Sequence, residues 1–213
     1  MLTKDNNKGV SNFPNIAVSR NNNSVYVVWS RVDSFDTTNQ TQTYDVFFTR
    51  SIDRGDTFRK PINLSNDPSN SQNAALAVSR NDGIYVAWTD NFIGTYEVFF
   101  TKSMDGGNTF STVMVISSNV ARALSPSISA NGNGSTFNLP ININNDTGVS
   151  DLAQISSGNG GGFYLVYVYV VWNDDTFGNP DIFFTRSIDS GSTFNLRQDN
   201  IAGNSMIYLT KTD

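Results

Sequence analysis

Residues 51–58 read SIDRGDTF, and the same phrase returns as SMDGGNTF at 103–110 and as SIDSGSTF at 187–194. Each copy follows a strand-like run: DVFFTR at 45–50, EVFFTK at 97–102 and DIFFTR at 181–186. Repetition at this spacing marks an architecture built from stacked copies of one supersecondary unit. The phrase has turn chemistry. Asp53, Asp105 and Asp189 are placed to accept hydrogen bonds from nearby backbone N–H groups. Gly55, Gly107 and Gly191 tolerate a positive φ. Thr57, Thr109 and Thr193 are expected to cap local backbone groups. Phe58, Phe110 and Phe194 are expected to turn inward and anchor the next strand. Ser51, Ser103 and Ser187 open the three copies.

Outward from the phrase, the repeated unit is longer. The first runs over 13–65, the second over 73–117 and the last over 150–196, each with four short apolar runs bounded by Asn, Gly and Asp. Such runs predict strands, and no window shows sustained helical spacing. Successive side chains on a strand point to opposite faces, so the paired phenylalanines of VFF and IFF predict a sheet buried on both sides. A four-stranded sheet stacked between like sheets is a propeller blade.

The spacing breaks once. Asp53 and Asp105 are 52 residues apart, but Asp105 and Asp189 are 84 apart. Between the last two, residues 125–145 read SPSISANGNGSTFNLPININN. Residues 126–130 resemble the first strand of a unit, and 134–139 repeat the GSTFNL of 191–196. The middle hairpin is missing, which predicts a truncated half blade. The expected blades are 13–71, 72–123, a half blade at 124–148, and 149–203. Residues 1–12 are read as an N-terminal tail, and 204–213 as a C-terminal strand, either the first of a further blade or a closing strand in another. All of 13–213 is read as one domain.

The pattern Ser-x-Asp-x-Gly-x-Thr-Phe resembles the Asp box of the BNR repeat proteins, in the sialidase (neuraminidase)-like β-propeller superfamily. The resemblance extends over most of 13–196. It implies an all-β propeller whose box is a scaffold turn on the rim away from the ligand pocket. It also implies a search for three arginines gripping a carboxylate, a tyrosine activated by a glutamate, and an aspartate acid–base, the exception to two-carboxylate glycoside hydrolysis. The early Arg-Ile-Pro of such enzymes has its nearest match in FRKP at 58–61, which lacks the Ile and directly follows a box.

Composition narrows the chemistry. The 213 residues include no Cys and no His, and Glu97 is the only glutamate. Thiolate nucleophiles, Ser-His-Asp triads and the usual zinc sites are thereby excluded. No metal is assigned, and any cation would be a hard, oxygen-bound ion such as calcium. A net charge of −5 argues against nucleic acid. The longest apolar run, 163–172, is too short for a membrane span, and the N-terminal residues carry no signal-peptide core.

The candidate site residues lie away from the boxes. Asp90 and Asp174 stand two residues after Trp88 and Trp172, and Arg31 holds that position after Trp29. Asp90 and Asp174 are expected to face Glu97 and Asp181 across a short loop. Glu97 occupies the place of Asp45 and Asp181, so it reads as a repeated acid and not as a unique base. Arg50, Lys102 and Arg186, just before the boxes, read as blade-edge cations that pair with a neighbouring blade. The loop aromatics Phe35, Phe92 and Phe177 are candidates for stacking on sugar faces. The reading is a non-catalytic module binding a glycan or protein ligand, extracellular or at a cell surface if it belongs to a longer exported chain. The alternative is an exo-α-sialidase or related glycoside hydrolase, active only within a complete propeller. Three blades and a half leave edges unpaired, so the ring is expected to close through further blades or a homo-oligomer.

Overall fold

The Val-, Tyr- and Phe-rich runs of each unit form strands in a computed structural model. It describes residues 10–36, 41–117, 125–130, 150–159, 166–174, 181–188, 193 and 199–200. Twelve strands are present among these residues, and no helix. The chain divides into two compact units, Met1–Asn138 and Leu139–Asp213.

The first unit holds two antiparallel sheets. Sheet A comprises β1 (Ser11–Val18), β2 (Val25–Asp36), β3 (Thr41–Ser51) and β4 (Ile62–Asn63), in that order. Sheet B comprises β5 (Gln72–Val78), β6 (Ile84–Asp90), β7 (Glu97–Ser103) and β8 (Met114–Val115), also in chain order. The second unit holds sheet C: β9 (Ser150–Asn159), β10 (Val166–Asp174), β11 (Asp181–Ser187) and β12 (Asp199–Asn200). Every neighbouring pair is antiparallel, so each sheet is a meander.

Register is locked the same way three times. Trp29 lies opposite Phe47, Trp88 opposite Phe99, and Trp172 opposite Phe183. Their rings stack with centroids 6.0, 6.2 and 5.9 Å apart. On the other face Tyr26, Tyr85 and Tyr169 stack on Phe48, Phe100 and Phe184. A one-residue slip would exchange the two faces and break both sets of pairs.

The double phenylalanine works as the alternation rule requires. Phe48 joins the core between sheets A and B, with Tyr26, Val28, Leu76, Val86, Trp88 and Phe99. Phe47 points the other way, to Trp29 and Val27. In sheet B the assignment shifts by one sheet: Phe99 meets sheet A, while Phe100 joins Tyr85 and Ala87 on the far face. Sheets that bury both faces are made for stacking.

The truncated repeat departs from the expected strand. Residues 126–130 form no strand. Ile128 and Ala130 instead pack on the far face of sheet B, beside Tyr85 and Phe100. Just before them, the Ser125 amide donates to the Thr89 hydroxyl at 3.1 Å. The rest of the half blade and the C-terminal strand expected at 204–213 lie outside the described residues.

Candidate functional site

The two ends of sheets A and B are built differently. The turn after β3 of sheet A carries the first copy of the repeated phrase, called a box below. Ser51 Oγ donates to Asp53 Oδ1 at 2.5 Å and accepts the Gly55 amide at 2.8 Å. Asp53 also accepts the Thr57 amide at 2.9 Å and the Thr57 hydroxyl at 2.5 Å. The second box repeats this. Ser103 Oγ binds Asp105 at 2.8 Å and the Gly107 amide at 2.8 Å, and Asp105 takes the Asn108 amide, the Thr109 amide and the Thr109 hydroxyl. The threonine hydroxyl therefore serves the carboxylate, not the backbone groups expected from sequence. The serine is the residue whose role the sequence left unread: it clamps the acid and the glycine together.

These donors favour ionised carboxylates. The Ser51 hydroxyl, then the Thr57 hydroxyl and amide, hold Asp53 down to about 2. Asp105 is held well below the usual range, first by the Thr109 hydroxyl and amide and then by Ser103. Backbone sign explains the glycines. Gly55 has φ +99° and Gly107 φ +83°. The preceding residue is also left-handed, Arg54 at +64° and Gly106 at +69°. In the third copy Ser187 is buried and Thr193 exposed. Asp189, Gly191 and Phe194 lie outside the described residues.

The box end also ties sheet A to sheet B. Arg50 donates through Nη1 to the Gly106 carbonyl and through Nη2 to Asn108 Oδ1 at 2.6 Å. Ser19 Oγ donates to Asp82 at 2.6 Å, and Asn21 Nδ2 to the Arg80 carbonyl at 2.7 Å. Arg50, the cation before the first copy, thus hydrogen-bonds the neighbouring turn through a backbone carbonyl and a side-chain amide oxygen. Burial, and then the neighbouring Arg59 charge, lower the Arg50 pKa.

The opposite end carries the candidates. Asp90 lies directly opposite Glu97, Asp174 opposite Asp181, and Arg31 opposite Asp45. Asp90 is buried completely. It accepts the Ser69 hydroxyl, the Ser71 hydroxyl at 2.5 Å, Trp88 Nε1 at 3.2 Å and the Phe92 amide at 2.8 Å. Glu97, also buried, accepts the hydroxyls of Ser117 and of Thr95, the latter at 3.3 Å. Asp45 accepts Asn63 Nδ2 at 2.6 Å and the Ser65 hydroxyl at 2.9 Å.

A shared device emerges. Ser65 and Ser117 bind the acids at equivalent places on β3 and β7, Asp45 and Glu97, and accept an amide from the next residue, Val46 at 3.0 Å and Val98 at 2.9 Å. The acid clasps the end of the short fourth strand to the third. Only backbone register is described for Asp174 and Asp181. Phe35 and Phe177 have no described side chain.

Asp67 is the residue the sequence did not single out. It accepts the Ser69 amide at 2.9 Å and the Ser69 hydroxyl, which also contacts Asp90. Burial, with the Asp90 charge adding to it, raises the Asp67 pKa. Nothing in the local sequence, DPSN at 67–70, marks it apart from an ordinary loop acid. Phe92 and Ile93 stand exposed at the tip of the β6–β7 loop. Asp90 holds the Phe92 amide, and Gly94 closes the turn on the Asn91 carbonyl at 2.9 Å. Arg31 lies over the Phe47 ring, 3.7 Å from its centroid. No group of three or more acids placed to hold a metal occurs among the described residues.

No family model matches the chain, and no curated protein matches it. Among solved structures, a Hadza microbial sialidase is 16% identical over 86% of this chain, with a TM-score of 0.46. A GH62 hydrolase in complex with xylotriose is 11% identical over 85%, at 0.45. A mutant of the NanB sialidase from Streptococcus pneumoniae is 11% identical over 88%, also at 0.45. The chain spans 36%, 48% and 23% of those three chains.

Proposed function

We propose that the chain is a segment of a sialidase-like β-propeller that binds a ligand, a glycan or a protein, at the β2–β3 loop end of its blades and does no chemistry there. The supporting observation is the state of the acids whose side chains are described at this end. Asp90, Glu97 and Asp45 are buried, and each accepts hydrogen bonds from its own chain. A general acid or base must instead reach the substrate proton. What this end offers to solvent in sheet B is Phe92 and Ile93, on a loop pinned by Asp90. An aromatic face on a rigid loop suits stacking on a sugar ring or an apolar protein contact. A cell-surface setting, and closure of the ring by further blades or a second copy, belong to this proposal.

The hydrolase reading has one observation in its favour. Asp67, moved toward its protonated form beside Asp90, has the character of a general acid. A glycan array run beside a fluorogenic sialoside assay separates the two. Binding that falls tenfold or more in Phe92→Ala, without turnover, is the expected result. Turnover abolished by Asp67→Asn or Asp90→Asn would overturn it.

A further inference from the structure

At the box end, a cleft of about 90 Å³ opens between sheet A and the second box turn, lined by Arg50, Arg59, Lys60, Phe48, Gly107 and Asn108. We infer that this cleft is a binding site for a small oxyanion group, sulfate or carboxylate, separate from the loop end where the ligand is proposed to dock.

Three cationic side chains line one cleft of a chain whose net charge is −5. Such a local reversal of sign concentrates anions at that spot. Arg50 is more than nine-tenths buried, and its Nε has no hydrogen-bond partner. Both of its terminal nitrogens are spent on Gly106 and Asn108, which fixes the guanidinium in place. Arg59 Nη1 also donates to Asn108 Oδ1, at 3.3 Å, so one amide oxygen gathers two guanidinium groups. Arg50 feels the Asp105 charge, but Asp105 directs its hydrogen bonds at Ser103, Asn108 and Thr109 within its own turn. Arg59 and Lys60 are exposed and adjacent, so an anion can enter from solvent. Guanidinium forks with an ammonium suit a carboxylate or sulfate oxygen set. The lowered Arg50 pKa, driven first by burial and then by Arg59, agrees with a site that an anion would relieve.

The test uses the whole chain labelled with nitrogen-15. Sodium sulfate and sodium acetate are titrated separately against sodium chloride at matched ionic strength. Saturable amide shifts at Gly106, Gly107, Asn108, Arg59 and Lys60 are expected with at least one of the two, and not with chloride. A response to sulfate alone assigns a tetrahedral group, and a response to acetate alone a planar one. The double variant Arg59→Ala/Lys60→Ala, at exposed positions, should weaken binding at least tenfold, while Arg80→Ala should leave it unchanged. Shifts no larger than with chloride, or equal affinity in the double variant, would overturn the site. The loop-end reading is untouched by either result, since Phe92 takes no part.

Discussion

The two described boxes have the same internal bonds and different surroundings. In both, a serine bridges the acid and the glycine amide, and the threonine closes on the acid. Nothing would come within 4 Å of a Cβ added at Gly55. A Cβ at Gly107 would lie 2.7 Å from the Phe48 ring and 3.2 Å from Ile84. Phe110 adds an edge-on contact with Phe48, centroids 4.9 Å apart. The first box makes a turn. The second makes a turn and docks a sheet. Local bonds fold the phrase, and the neighbour determines how much rests on it.

Substituting the two glycines breaks this comparison most sharply. Gly55→Ala meets only the strain of a left-handed backbone, about 1–2 kcal/mol. Gly107→Ala carries the same strain and a collision with a buried ring, which adds about 1–3 kcal/mol of overpacking. Urea unfolding followed by tryptophan fluorescence would read the difference. Equal losses would mean that Phe48 yields freely and that the second box is no more than a turn.

Residue types at fixed offsets made most of the scaffold legible. The serine-to-phenylalanine spacing located the turns, the paired phenylalanines announced two buried faces, and four runs per unit became four strands. Residues 126–130 form no strand despite their resemblance to a first strand, because strand propensity is overridden by tertiary context. The candidate end was read less well. Asp90 and Glu97 stood out as acids near a loop. Their burial and bonding to Ser69, Ser71 and Ser117 depend on chain segments about twenty residues away in sequence. Asp67 and the Arg50–Arg59–Lys60 cleft are likewise products of tertiary approach, which periodicity does not encode.

A smaller effect separates the sheets at their tryptophans. Trp88 Nε1 donates to Asp90, but Trp29 Nε1 is buried with no partner, because Arg31 stands where sheet B has its acid. Trp88→Phe removes a hydrogen bond to a buried carboxylate, whereas Trp29→Phe removes a donor that had none. Both lose similar packing against a stacked phenylalanine. The first should therefore cost about 1–2 kcal/mol more than the second. An equal cost would indicate that the indole bond to Asp90 adds nothing net, and that the acid serves the serines and the Phe92 amide alone.

The smallest effects come from pH, and they run in opposite directions at the two ends. Asp53 titrates at about 2 when folded against 3.8 ordinarily, so the unfolded chain takes up protons first as pH falls. Its stabilisation is complete above about pH 4 and disappears as pH falls through 2. Asp105 acts in the same sense. Asp67 is raised, so its contribution is present below about pH 4 and is lost as pH rises through its folded value. Melting temperatures measured from pH 2 to pH 7 should therefore show a shallower acid decline in Asp53→Asn than in the parent. Asp67→Asn should instead gain relative to the parent as pH rises toward 7, because the neutral amide avoids ionising a half-buried acid beside Asp90. If both substitutions shift the curve in parallel at every pH, the hydroxyl and amide donors are not tuning these carboxyls. The contrast between an ion-stabilising turn and an ion-penalising loop would then fail.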